Sequence, residues 1–429
     1  MKPRIRLISL LMLLALLVSG CGDAPQTPQK TEPSAPATSA PTEPSTQPNP
    51  KQPAPCPTDY VTAEQMALAD PWNGSDESAI AQVMRKAESG EKVTIAVLGG
   101  SITQGTISNG SSDKKVKQRQ TYAEIFHDWW KETFPNTPIE FINAGIGATD
   151  SYLAVHRVQK DVLEHDPDLV LVEFSVNDSG SNSHKISYDN LLRTLLLQED
   201  APAVLLLFMA QTNGSSAQNI HALVGFHYSL PMVSYYNVIS DMMEKGNYSA
   251  SELSGDVVHP SALGHRITGE VLWKYLNSIY ESSESYPAPD KFEMAPFTKD
   301  KYVTNPHILD SKSLAPTDMG TFHESSVYHH FPNNWSTKEG GEITFEITCR
   351  NLGILYYCQT DGKGGQFEVL VDGEVMTVLN ADFSGGWGNY AQSHECYTSD
   401  TAATHTVTIR KRTDSTGDCF TLLGFLVSE

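Results

Sequence analysis

From about residue 58 to 285, short apolar runs alternate with amphipathic stretches of helical length. The runs are Thr94–Leu98, Ile139–Ile142, Leu169–Phe174, Ala203–Phe208 and Met232–Tyr235. The stretches between them cover 121–134, 151–165, 187–198, 216–229 and 236–245, with a leading helix over 76–88. A last helix over 261–281 carries Leu263, Ile267, Val271, Tyr275 and Ile279 on one stripe. Short strands that are almost wholly apolar and separated by helices predict a parallel sheet buried on both faces. Ligand sites on such sheets form at the carboxyl ends of the strands.

Beyond about residue 286 the period changes from helical to alternating. Residues 343–349 read Ile-Thr-Phe-Glu-Ile-Thr-Cys, and Phe367–Val371, Asp372-Gly373 and Glu374–Leu379 read as a hairpin with a favoured turn. His405–Ile409 and Phe420–Val427 are further strands. The pattern predicts an antiparallel β-sandwich of jelly-roll type over 286–429. Residues 343–349 and 354–360 are expected to pair around Arg350-Asn351-Leu352-Gly353, which would hold Cys349 and Cys358 too far apart to bond.

The first 20 residues pair a basic start (Lys2, Arg4, Arg6) with an apolar run ending Val18-Ser19-Gly20-Cys21. That is a signal-peptide pattern closed by a bacterial lipobox, with Cys21 the expected lipidation site. Residues 21–57 form the expected tether: ten of the 34 residues over 22–55 are proline, a composition that buries no core. The expected location is the extracellular face of a bacterial membrane, held there only through the lipid.

The 429 residues suffice for two domains, and a net charge of -21 argues against a nucleic-acid binder, which needs a basic face to displace phosphate counterions. Of six cysteines, Cys349, Cys358, Cys396 and Cys419 lie in the second domain, and their pairing is not legible. No spacing suggests zinc.

Four segments carry candidate chemistry. The first buried strand exits through Gly99-Gly100-Ser101, freeing a hydroxyl at the sheet's edge. The second exits through Asn143-Ala144-Gly145-Ile146-Gly147-Ala148, small residues that admit close backbone approach. The third exits through Ser175-Val176-Asn177-Asp178, where an amide can donate to an oxyanion. Before the last helix, Asp256-Val257-Val258-His259-Pro260-Ser261 spaces a carboxylate three residues from an imidazole, and Ser261 caps the helix.

Together these blocks resemble the SGNH, or GDSL, hydrolase superfamily over nearly all of 90–280. The resemblance implies a flavodoxin-like three-layer α/β domain over 58–285. It assigns Ser101 as nucleophile, His259 as general base and Asp256 as its orienter. The oxyanion donors would be the Ser101 N–H, the Asn177 side chain and the Ala148 N–H, with Gly145 or Gly147 as alternatives should the turn require φ > 0. No cofactor or metal is implied. Three positions depart from the family pattern: Gly100 replaces an acid, Ala148 a glycine and Ser175 a glycine.

An exported esterase with a sandwich attached resembles carbohydrate esterases, so the expected reaction is removal of O-acetyl groups from carbohydrate or polysaccharide. Trp335, Trp387 and Tyr390 are candidates for stacking on sugar rings, whereas Trp129 and Trp130 are read as packing residues. His329-His330 show no partner in the sequence. The alternatives are an O-acyltransferase, a lipase or thioesterase of the same fold, and an inactive glycan-binding surface protein. The sequence leaves the oligomeric state open.

Overall fold

The structure is a computed structural model that describes residues 51–72, 74–111, 119–299 and 303–429. The signal segment, Cys21 and the tether up to residue 50 lie outside the described residues.

The chain begins with helices α1 (Ala63–Ala69) and α2 (Ser78–Glu88), then strand β1 (Val93–Gly99), the one-turn helix α3 (Ser101–Gln104) and α4 (Tyr122–Thr133). There follow β2 (Ile139–Gly145), α5 (Ser151–Asp161), β3 (Leu169–Glu173), α6 (Asn182–Leu196), β4 (Ala203–Phe208) and α7 (Gln218–His227). The domain closes with β5 (Met232–Ser234), α8 (Tyr235–Glu244), α9 (Ala250–Leu253) and α10 (Ala262–Glu281). The five strands are parallel, in the order β2-β1-β3-β4-β5. Alternation along each strand sends side chains to two cores. Ile95 and Val97 join Trp129, Trp130 and the α10 stripe on one face, while Ala96 and Leu98 join Val155, Leu191 and Leu192 on the other. This three-layer arrangement reverses strand order between β1 and β3, the crevice where ligand sites form in open α/β sheets.

Helix α6 starts at Asn182, five residues before the apolar stripe, because the Ser181 hydroxyl caps it by accepting the His184 N–H. Residues 51–57, expected as the end of a free tether, instead lie on the α/β domain. Lys51 pairs with Glu88 and Glu284, and the Ala54 carbonyl accepts the Trp273 indole N–H at 3.0 Å.

The second domain comprises β6 (His307–Leu309), β7 (His323–Ser325), β8 (Asn334–Thr337), β9 (Glu342–Cys358), β10 (Gln366–Val371), β11 (Glu374–Asn380), β12 (Tyr390–Lys411) and β13 (Phe420–Ser428). Asp372 and Gly373, both at positive φ, make the β10–β11 turn. The expected hairpin around Arg350–Gly353 does not form: β9 runs unbroken through it. Asn351, Leu352 and Gly353 are paired on both sides, with β12 and with β13. Gly353 serves a domain contact instead, since a Cβ there would lie 2.2 Å from the Tyr152 Oη. Cys349 and Cys358 still do not bond, because they sit on one strand.

The two halves of β9 face a single core with opposite parity. Ile343, Phe345, Ile347 and Cys349 point inward from the first half, and Leu352, Ile354, Tyr356 and Cys358 from the second. The hydrogen-bonded sheet therefore folds over on itself, and the two sides of the sandwich are joined by continuous strands. Trp335 is fully buried in that core, so it is not a sugar-stacking residue. On the outer face Leu355, Ala391, Leu423 and Leu426 pack against Leu153 of α5. This apolar seam seats the sandwich beside the carboxyl ends of the parallel strands.

Candidate active site

Strand β1 ends at Gly99, and the chain turns at once into α3, whose first residue is Ser101. Asn177 follows β3, and Asp256 and His259 stand on the loop before α10. The structure brings these distant segments together. The Ser101 Oγ lies 2.9 Å from the His259 Nε2, and the His259 Nδ1 lies 2.7 Å from an Asp256 carboxylate oxygen. The second Asp256 oxygen accepts the N–H groups of Val258 and His259 at 3.1 and 2.7 Å. Partial burial pushes the Asp256 carboxyl up, but the bonds from the His259 ring and these amides outweigh it and hold its pKa below the ordinary value. An ionised Asp256 fixes the proton on Nδ1. The lone pair on Nε2 then faces Ser101, whose hydroxyl donates to it.

The loop that carries this pair is braced. The Ser108 and Ser254 hydroxyls both donate to the His259 carbonyl, at 2.6 and 2.7 Å, and Ser108 Oγ accepts the Gly255 N–H at 2.7 Å. Val257, between Asp256 and His259, adopts φ 76°, an unfavourable conformation for a β-branched side chain that the surrounding bonds enforce.

Gly100, where the family carries an acid, has a local reason. A Cβ at 100 would lie 2.2 Å from the Asn177 Oδ1, so glycine leaves the space that the Asn177 amide occupies. The block-two residues divide their tasks. Gly145 N–H donates to Asn143 Oδ1 and Gly147 N–H to Gln104 Oε1, both at 2.9 Å, so neither amide is free. A Cβ on Gly145 would also meet the Gln104 backbone nitrogen at 2.2 Å. Ala148 takes φ 60°, the conformation for which glycine is the usual residue, and its N–H has no partner among the described residues. Ser175, the third departure, donates to the Glu173 carboxylate and the Met209 carbonyl.

Several supports carried no sequence signal. The buried Arg157 guanidinium donates to the carbonyls of Gly99 and Ala144, tying together the ends of β1 and β2. Asn143 Nδ2 donates to the Thr103 carbonyl at 2.9 Å. His330, read as partnerless, lies with its Nε2 3.1 Å from Gln104 Nε2, so a sandwich loop reaches the helix that begins at Ser101. Trp387 is 71% exposed, and Tyr390 lies beside it with ring centroids 5.1 Å apart. Among the described residues no cluster of three or more His, Cys, Asp or Glu side chains is placed to hold a metal.

The GDSL-like lipase/acylhydrolase family profile matches residues 97–267. A two-domain esterase active on acetylated mannans, solved both alone and co-crystallized with mannopentaose, is similar to this chain. It aligns at 27% identity and a TM-score of 0.74, covering 85% of this chain and 98% of its own. No curated protein matches significantly. Residues 97–267 thus carry a GDSL-like lipase/acylhydrolase domain, and the chain is a carboxylic ester hydrolase.

Proposed function

We propose that this chain is a serine esterase that removes O-acetyl groups from a mannan-type polysaccharide through an acyl-enzyme on Ser101. The observation that carries this reading is the continuous Ser101–His259–Asp256 relay, with links of 2.9 and 2.7 Å. A hydroxyl is a weak nucleophile at neutral pH, so His259 takes its proton as Ser101 attacks the acetyl carbonyl. Negative charge gathers on the carbonyl oxygen and is met by the N–H groups of Ser101 and Ala148 and by the Asn177 amide. Losing one such donor typically costs about 2.7–4 kcal/mol of barrier. The imidazolium then protonates the leaving sugar oxygen, and water resolves the acetyl-enzyme by the reverse path.

The similarity over most of both chains to an esterase active on acetylated mannans supports the substrate class. The exposed Trp387, with Tyr390 at its side, is suited to stacking on a sugar ring. Export and lipidation at Cys21 belong to the same proposal and rest on the sequence pattern of residues 1–21 alone.

The test is acetate release from acetylated glucomannan and acetylated xylan, alongside p-nitrophenyl esters of increasing chain length. Mannan preferred over xylan, acetate over longer acyl groups, and no turnover by Ser101→Ala are the expected results. Preference for long acyl chains would make the protein a lipase instead.

A further inference from the structure

The Gln104 side chain joins two parts of the molecule. Its Oε1 accepts the Gly147 N–H at 2.9 Å, and its Nε2 lies 3.1 Å from the His330 Nε2. Because the amide oxygen is committed to Gly147, the NH2 group must be the one that faces His330. The ring nitrogen there must therefore be an acceptor, so His330 is neutral with its proton on Nδ1. Its surroundings favour that form. The groups facing it are His329 and Tyr328 on its own turn, Gln104 on α3, and Arg157 and Asp161 on α5. Burial, then His329 and Arg157, lower its pKa against the opposing pull of Asp161. The turn is itself fixed: Tyr328 packs on Tyr357 of β9 with ring centroids 5.3 Å apart, and the Phe331 N–H donates to the Tyr328 carbonyl.

Gly147 lies against the nucleophile, since a Cβ built on it would fall 3.7 Å from the Ser101 Cβ. The next residue, Ala148, carries the unpaired N–H, held at positive φ. We propose that His330 and Gln104 are positioning residues: the sandwich domain, through this relay, anchors the Ile146–Gly147 peptide, the unit adjoining the one that carries the Ala148 N–H, and so limits the directions in which that N–H can meet the reacting carbonyl. This inference rests on the esterase reading above and adds to it that the second domain takes part in the chemical step.

The test uses the full chain and p-nitrophenyl acetate, a substrate too small to report glycan contacts. Gln104→Ala and His330→Ala are each expected to lower kcat about ten-fold with little change in KM, because misaimed donors cost transition-state rather than ground-state interactions. The double variant should fall no further than Gln104→Ala alone, since the two residues act as one unit. His330→Gln keeps an acceptor and should recover to within about three-fold of wild type. Unchanged kcat in both alanine variants, or effects that multiply in the double variant, would overturn the inference. So would a His330→Gln protein of wild-type thermal stability that is as slow as His330→Ala. Ser101→Ala run alongside separates the two ideas. Activity surviving in it defeats the esterase reading, whereas an inert Ser101→Ala beside fully active relay variants defeats only the inference.

Discussion

The α/β domain and the sandwich each hold an aspartate–histidine pair with a 2.7 Å bond to Nδ1, Asp256–His259 in one and Asp372–His405 in the other. In the first, Nε2 faces a hydroxyl 2.9 Å away. In the second, Nε2 is buried with no partner among the described residues. Local chemistry is nearly the same, and topology makes the difference. Parallel strands all end on one side, so residues after β1, β2 and β3 meet the loop before α10. An antiparallel sheet sends alternate strand ends to opposite edges, and His405 lies within β12 itself. An imidazole oriented by a carboxylate is a base in waiting; it becomes part of a site only where the fold delivers a nucleophile and donors to its other nitrogen.

The sharpest way to break this contrast is to remove each imidazole in turn. His259→Ala should lower kcat on p-nitrophenyl acetate by about 10⁴-fold or more, whereas His405→Ala should leave it within about two-fold of wild type. A comparable loss in both would erase the distinction. The carboxylates form the next pair. Asp256→Asn leaves the ring without its orienter and should cost about 10³- to 10⁴-fold in kcat, while Asp372→Asn should alter the melting temperature only.

Gly100→Asp tests the departure from the family pattern. The new Cβ would fall on the Asn177 amide at 2.2 Å, and displacing that donor should cost about 10²-fold in kcat measured beside an unchanged circular-dichroism spectrum. Full activity would show that Asn177 is not needed where it stands.

Stability should depend on pH through two histidines that burial holds neutral, His265 of α10 and His156 on the α5 face toward the sandwich, each with a pKa lowered to about 4. The unfolded chain binds protons on these groups below the ordinary value of about 6.5. Between those values it binds more protons than the folded chain, so stability rises with pH across that window and is lost as pH falls through it. Melting temperatures from pH 7 to 4 measure this, and His265→Gln should flatten the α/β contribution. The smallest effect is expected at Ala148. Glycine there relieves a left-handed backbone and should raise stability by about 1 kcal/mol in denaturant titration, with kcat retained.

Most of the first domain was legible because its inner strands are buried on both faces, which leaves unbroken apolar runs such as Ala203–Phe208. The site blocks were legible for a related reason: residues after such runs must lie at one rim. The sandwich was less so. Arg350-Asn351-Leu352-Gly353 has the composition of a turn, yet pairing on both sides keeps it extended, and its glycine answers to Tyr152 in the other domain. Trp335, named only as a candidate for stacking on sugar, lies in the core instead, and its polar neighbours Asn334 and Ser336 are buried with it and hydrogen-bonded. Gln104, Arg157 and His330 gave no signal, since each acts through a partner distant in sequence.

The central claim is that Ser101 carries the acyl group, and the direct measurement is peptide mass analysis of protein quenched within the first turnover of p-nitrophenyl acetate. The account predicts one added acetyl group on the peptide containing Ser101, lost on longer incubation and absent from Ser101→Ala. A wild-type rate of turnover by Ser101→Ala, or an acetyl group that forms and clears on a different residue, would contradict it.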